Sequence, residues 1–182
     1  VLERKSDPGE KLHTTGILVK DVLVQTPFLD DIPQHLVRKI PHVRLYAPNN
    51  NYIDLHAPGY YFMATDTPNI MRWLAEKAQR NGTTIKLGSP FSTVHRTDSG
   101  FDVDGVGTTR YLVGADGPRS TVAKSLGLGT VKKYLFGMEY ELPNARLVEP
   151  DTLHCFISKS FAPGYIGWVL QGVTGVQIGL AL

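Results

Sequence analysis

The sequence predicts an α/β (α+β) fold. It reads as a strand-and-helix portion that gives way, near residue 129, to an antiparallel sheet. Three observations carry this. Tyr111–Val113 is an apolar run that ends in Gly114-Ala115-Asp116-Gly117 and passes straight into Pro118-Arg119-Ser120-Thr121-Val122-Ala123, a strand–turn–helix pattern. Residues 68–81 carry apolar positions at helical spacing. Beyond Gly129, four stretches alternate apolar and polar residues in the manner of half-buried strands.

The elements follow in order. Val1-Leu2-Glu3-Arg4-Lys5 reads as the tail of a buried strand, and a polar stretch from Ser6 leads to His13-Thr14-Thr15-Gly16. Residues 20–24 and 33–39 have helical character. Val43–Tyr46 and Tyr52–Leu55 flank the turn signal Pro48-Asn49-Asn50-Asn51 and so predict a hairpin. An aromatic strand follows over residues 59–64. The clearest helix has Thr67 as its expected N-cap, Pro68 in the first turn, and Ile70, Met71, Leu74, Ala78 and Trp73 as its apolar stripe, with Gly82 as its stop. Residues 83–87 and 91–96 read as strands. Thr97-Asp98-Ser99-Gly100 turns into Phe101-Asp102-Val103, and Gly105–Gly107 turns again. The last four strands are expected at 133–142, 152–158, 165–170 and 173–180.

Composition narrows the function. With 182 residues and 42% hydrophobic content the chain can bury a core. A net charge of +2, with scattered basic residues, gives no reason to expect nucleic acid. The single cysteine, Cys155, excludes an internal disulfide and reads as a small buried hydrophobe, consistent with a cytoplasmic protein. The six histidines are too dispersed to argue a metal site. Residues 161–182 are uncharged and long enough to span a bilayer, but their glycines and glutamines read as two strands and a turn rather than an integral membrane segment.

The string 111–123 resembles the G-A-D-G-x-x-S-x-V signature of FAD-dependent oxidoreductases of the geranylgeranyl reductase and aromatic hydroxylase superfamily. The resemblance covers most of residues 1–128. It implies a partial FAD/NAD(P)-binding, Rossmann-like domain over 1–128, with a small inserted hairpin region at about 40–64. Residues 129–182 would then begin an antiparallel substrate-binding domain. It also implies FAD as cofactor, with Ala115, Asp116 and Gly117 beside it, and NAD(P)H as one electron donor. Taken alone, Glu3 is an ordinary charged residue. With the Asp116 motif downstream it matches the acidic residue that, about 20 residues past a glycine fingerprint, accepts two hydrogen bonds from ribose hydroxyls. Arg4 adjoins it, and Val94 stands where relatives offer backbone groups to adenine. Ala162-Pro163-Gly164-Tyr165-Ile166-Gly167-Trp168 resembles the family's P-G-Y-x-G-W element. On that likeness Gly164, Tyr165 and Trp168 join Thr14 and Thr15 as candidates for substrate contact; a strand with core aromatics is the competing reading.

Two departures stand out. Where geranylgeranyl reductases carry a Cys-Gly element this chain has His13-Thr14-Thr15-Gly16, and where relatives place a flavin-facing arginine it has Thr67. No G-x-G-x-x-G occurs in the sequence, so the chain reads as an internal piece of a larger flavoenzyme, inactive alone. Three functions are compatible with this reading. The first is a reductase or dehydrogenase of a small apolar substrate, the second a flavin monooxygenase, and the third a non-catalytic ligand-binding relative. Unpaired sheet edges would favour self-association.

Overall fold

The computed structural model describes every residue except 11, 13 and 15. In chain order its elements are β1 (Ile17–Val19), α1 (Lys20–Gln25), two 3₁₀ turns (Pro27–Leu29 and Gln34–Leu36), β2 (Val37–Ile40), β3 (His42–Tyr46), β4 (Tyr52–Leu55), β5 (Phe62–Thr65) and α2 (Thr67–Arg80). There follow β6 (Val94–Thr97), β7 (Gly100–Val103), β8 (Gly107–Thr109), α3 (Thr121–Ser125), β9 (Gly137–Pro143), β10 (Thr152–Phe156), β11 (Gly167–Gln171) and β12 (Gly175–Ala181). The mixed α/β class agrees with the sequence. No helix among the described residues is long and apolar enough to cross a membrane. The uncharged C-terminal stretch instead forms β11 and β12.

The chain divides into two compact units, Val1–Glu10 with Ala75–Tyr134, and Lys11–Leu74 with Leu135–Leu182. The hairpin β3–β4 therefore belongs with β9–β12, whereas the sequence reading grouped it with residues 1–128. The second unit holds a six-stranded sheet in the order β4-β3-β10-β11-β12-β9 and a three-stranded sheet in the order β1-β5-β2. The larger sheet is mixed rather than purely antiparallel, because β3 pairs in parallel with β10, His42 opposite Thr152 through Tyr46 opposite Phe156. One face of this sheet joins the smaller one through Ile40, Ala64, Leu153, Cys155, Trp168 and Leu170, all buried. Cys155 packs here as expected, and burial pushes its thiol pKa up. A second core gathers Leu29, Ile32, Leu36 and Ile70, with Trp73 and Leu74 of α2 against it. Met71, expected in the stripe, is exposed.

Helix α2 starts differently from the sequence reading. Asp66, not Thr67, caps it: the Asn69 backbone N–H donates to Asp66 Oδ1 at 3.3 Å and the Ile70 N–H to the Asp66 carbonyl at 2.9 Å. A carboxylate at this position accepts orphan donors of the first turn better than a threonine would. Thr67 Oγ1 instead lies 2.8 Å from Thr65 Oγ1. The far end stops as expected at Gly82, whose φ of 87° suits a left-handed cap.

The first unit contains the meander β6-β7-β8, in register Val94 opposite Val103 and Phe101 opposite Thr109. The turns foreseen at 97–100 and 105–107 form its two reversals. The strand expected at 83–87 reduces to a parallel bridge between Leu2 and Lys86. Residues 111–113 do not pair with any strand among the described residues, and Tyr111 and Val113 are 79% and 84% exposed. An apolar run signals burial but cannot specify a partner strand.

Trp168 determines one glycine. A Cβ on Gly179, its cross-strand partner, would lie 2.2 Å from the indole ring, whereas a Cβ on Gly137 meets nothing nearer than 3.9 Å. Overpacking of this kind costs about 1–3 kcal/mol. Urea unfolding should accordingly show Gly179→Ala destabilised by about that amount and Gly137→Ala close to wild type.

Candidate functional site

The sequence candidates fall into two groups. Glu3, Arg4, Val94, Ala115, Asp116 and Gly117 lie in the first unit; Thr14, Gly164, Tyr165 and Trp168 lie in the second. Thr15 lies outside the described residues.

In the first unit, the Glu3 backbone is tied to the neighbouring chain on both sides. Its N–H donates to the Lys86 carbonyl at 2.9 Å, and its carbonyl accepts from Ser89 N–H at 2.9 Å. Its carboxylate Oε1 accepts the Lys5 N–H at 2.9 Å, which turns the side chain back along its own strand end. A carboxylate has lone pairs for about four hydrogen bonds, so capacity remains for a vicinal diol. Arg4 is exposed, and the Val94 side chain is buried in the meander.

Asp116 behaves differently from the sequence reading, which gave its carboxylate to a ribose or phosphate. Oδ1 accepts from the Ser120 hydroxyl, and Oδ2 accepts the N–H groups of Thr121 at 2.6 Å and Val122 at 3.1 Å. Ser120 Oγ in turn accepts the Ala123 N–H at 2.9 Å. Together the two side chains satisfy the first turn of α3, and the Ser120 hydrogen bond, with those from the backbone, holds the Asp116 carboxyl below the usual carboxylate range. Gly114 is needed for the same packing: a Cβ there would stand 2.9 Å from Val122 Cβ. Gly117, with φ at 82°, has open space around it. The residues present thus fit an adenine dinucleotide at the Glu3 carboxylate and along the open backbone at Gly117. Three of the about four acceptor sites of the Asp116 carboxylate serve the helix.

In the second unit, Gly16 is locked in place. Thr65 Oγ1 donates to its carbonyl at 2.9 Å, and a Cβ on Gly16 would collide with Thr67 Oγ1. This anchors the chain just after the exposed Thr14. Gly164, at φ 83°, and Tyr165 are exposed. Trp168 is only 4% exposed and belongs to the core, its Nε1–H donating to Glu139 Oε2 at 3.1 Å. Its glycine-rich surroundings admit the indole, not a ligand.

The sequence reading passed over an apolar cavity of about 210 Å³ in this unit, walled by Val43, Leu55, Ala57, Tyr60, Tyr61 and Phe62. Lys39 Nζ stands 4.3 Å from the Tyr61 ring centre, and Lys20 Nζ donates to the Gly59 carbonyl at 2.8 Å. The run Tyr60-Tyr61-Phe62 was its only sequence signal, and it is equally the signal of a strand.

Replacing Asp116 by alanine should lower the unfolding free energy by about 1 kcal/mol at neutral pH, the usual worth of a helix cap. The sign with pH follows from the lowered pKa. The stabilisation is present above the unfolded carboxyl pKa of about 3.9 and is lost as pH falls through the folded value, so wild type and variant should converge in acid. Urea titrations across pH 3–7 check this.

Residues 9–173 match the model of a family described as FAD binding domain. The digeranylgeranylglycerophospholipid reductase of Methanococcus vannielii is 21% identical, over 90% of this chain and 49% of its own length. The rifampicin monooxygenase of Rhodococcus hoagii is 33% identical, over 68% of this chain and 27% of its own. The crystal structure of a geranylgeranyl bacteriochlorophyll reductase-like protein from Thermoplasma acidophilum superposes with a TM-score of 0.83 at 18% identity, covering 99% of this chain and 49% of that one. The chain spans about half the length, or less, of the reductases it matches. The match over residues 9–173 leads to one conclusion: this chain belongs to the FAD binding domain family.

Proposed function

We propose that the chain forms part of an FAD-dependent oxidoreductase that reduces or dehydrogenates a small apolar substrate, with NAD(P)H as electron donor. The observation that carries the substrate class is the cavity of about 210 Å³, whose walls are aliphatic and aromatic side chains. The cleft is open on one side, and its apolar lining suits an apolar group of small size. When bound, FAD supplies the hydride chemistry, and the protein contributes binding, orientation and electrostatics. In this reading Glu3 holds the ribose hydroxyls, and Gly117 lets the cofactor approach the backbone. Thr14, Gly164 and Tyr165 offer exposed polar and aromatic contacts to the substrate. Asp116 acts on the site by fixing α3. The single buried cysteine suits the reducing cytoplasm.

The deciding experiment uses the full-length protein. Its flavin, reduced anaerobically, is mixed with apolar alkenes and the absorbance near 450 nm is followed. Substrate-dependent reoxidation without oxygen supports the reductase. A second reading, hydroxylation of an apolar or aromatic substrate, is favoured by the similarity to the rifampicin monooxygenase. It predicts that reoxidation requires oxygen and that the product gains a hydroxyl.

Three variants test the assignments. Glu3→Ala should weaken FAD binding about tenfold, equal to about 1.4 kcal/mol, in a flavin-fluorescence titration, while Asp116→Asn should affect stability more than affinity. Ala57→Trp, at an exposed wall position, should fill the cavity and raise KM for the apolar substrate while leaving FAD affinity unchanged.

A further inference from the structure

Among the described residues the outer edge of β9 is unpaired. The strand is seven residues long, closes one side of the six-stranded sheet, and is exposed at every position. Natural sheets blunt such edges with lysines, bulges, an interrupting proline or inward-pointing charges; β9 has a proline only at its last residue, Pro143, and its charges are Glu139 and Glu141, both of one sign and on the face of the buried cluster. Its pattern alternates strictly. Met138, Tyr140 and Leu142 lie on one face, opposite Leu180, Ile178 and Val176 of β12, while Glu139 and Glu141 lie on the other, opposite Gly179 and Gln177.

No ion pair to Glu139 or Glu141 occurs among the described residues. Glu139 and Glu141 are two residues apart, hence about 7 Å along the strand. Burial, opposed by the Trp168 hydrogen bond, holds the Glu139 carboxyl above the usual range, and repulsion from Glu141 adds to it. Beside them Gln177 is only 5% exposed. Its Nε2 donates to Glu141 Oε1 at 3.2 Å, and its Oε1 is buried without a hydrogen-bond partner. A buried acceptor left without a donor costs about 1–3 kcal/mol. Two carboxylates and an orphaned carbonyl oxygen therefore line the same side of the strand, and each would be answered by an ammonium or guanidinium group.

A second copy of the chain fits poorly. Antiparallel self-pairing centred on Tyr140 places Glu139 opposite the partner's Glu141, and centring on Glu139 sets that glutamate against itself. A shift to a centre between residues 139 and 140 sets Met138 against the partner's Glu141. Like charges directly opposite one another destabilise a sheet, and so does a charge against an apolar side chain.

We propose that the edge of β9 docks an extended segment of another polypeptide in which apolar and basic residues alternate. The added strand would bond main chain to main chain, set its apolar side chains beside Met138, Tyr140 and Leu142, and place its cations over Glu139, Glu141 and Gln177.

The test titrates the full-length protein into a fluorescein-labelled heptapeptide of alternating valine and lysine, at low salt, with anisotropy as readout. A matched peptide with glutamate in place of lysine is the control. The lysine peptide should bind saturably, at least tenfold tighter than the control, more weakly as salt is added, and with slowed amide exchange confined to β9. The double variant E139Q/E141Q should bind both peptides alike. Equal binding of the two peptides to the wild type, or no binding with β9 amides exchanging freely, overturns the proposal. So does a sedimenting dimer whose β9 amides are already protected, which would make a second copy the occupant. If the double variant does not fold, the peptide comparison and exchange map on the wild type still decide.

Discussion

The parallel pairing of β3 with β10 is the constraint on which the second unit rests. It joins residues far apart in the chain; the Arg44–Glu149 ion pair beside it, at 2.7 Å, links positions 105 apart. Without it the hairpin β3–β4 would be an isolated two-stranded element, which is marginal in water. With it, Val43 and Leu45 pack against the buried cluster of Leu153, Cys155, Trp168 and Leu170. Loop-closure entropy grows only slowly with length, by about 0.6 kcal/mol per doubling, so the chain can leave at Leu74, fold residues 75–134 into the first unit, and return at Leu135. The ion pairs around the junction help fix register more than they hold it together. Arg44 grips Asp54 at 2.6 Å and lies 4.2 Å from the Tyr52 ring, and Arg38 meets Asp151 at 2.8 Å, but their carboxylate partners are largely solvated. Exposed pairs of this kind are each worth well under the burial of one aliphatic side chain.

What the sequence made legible is what neighbouring residues decide. The β3–β4 hairpin, helix α2, the meander turns and the four strands of residues 137–181 follow from alternation, helical spacing and turn residues, all of which act within about ten positions. The partner of a strand is not local. Nothing in Val43-Arg44-Leu45-Tyr46 names Leu153 as its neighbour, so the hairpin was grouped with the wrong stretch of chain. For the same reason Tyr111–Val113 read as a strand although it pairs with none among the described residues.

The site residues show a related ambiguity. Asp116 and Trp168 are residue types that serve either a ligand or the fold, and in both cases the fold uses them. The Asp116 oxygens are taken by Ser120, Thr121 and Val122, and the indole lies over Gly179 with its N–H on Glu139. Glu3 differs because one acceptance, from Lys5, leaves most of its capacity open. The useful distinction is how much hydrogen-bonding capacity a side chain has left after its neighbours are satisfied, and that can be counted only once the fold is known.

This division of labour explains why so few identical residues accompany so similar a fold. A cofactor that carries its own chemistry asks the protein for shape, open backbone and a few acceptors rather than for a fixed set of reactive side chains. The positions that cannot vary are then steric. Gly16 is closed in by Thr65 and Thr67, Gly114 by Val122, and Gly179 by Trp168, and at each an added methyl group collides. Gly100 and Gly175 are closed in as well, by backbone: a Cβ would stand 2.2 Å from the Thr109 carbonyl oxygen and 2.1 Å from that of Leu142. The short Asp-Gly element is where turn, helix cap and close packing coincide: Gly117 is left-handed, the Asp116 and Ser120 side chains accept the first N–H groups of α3, and Gly114 makes room for Val122.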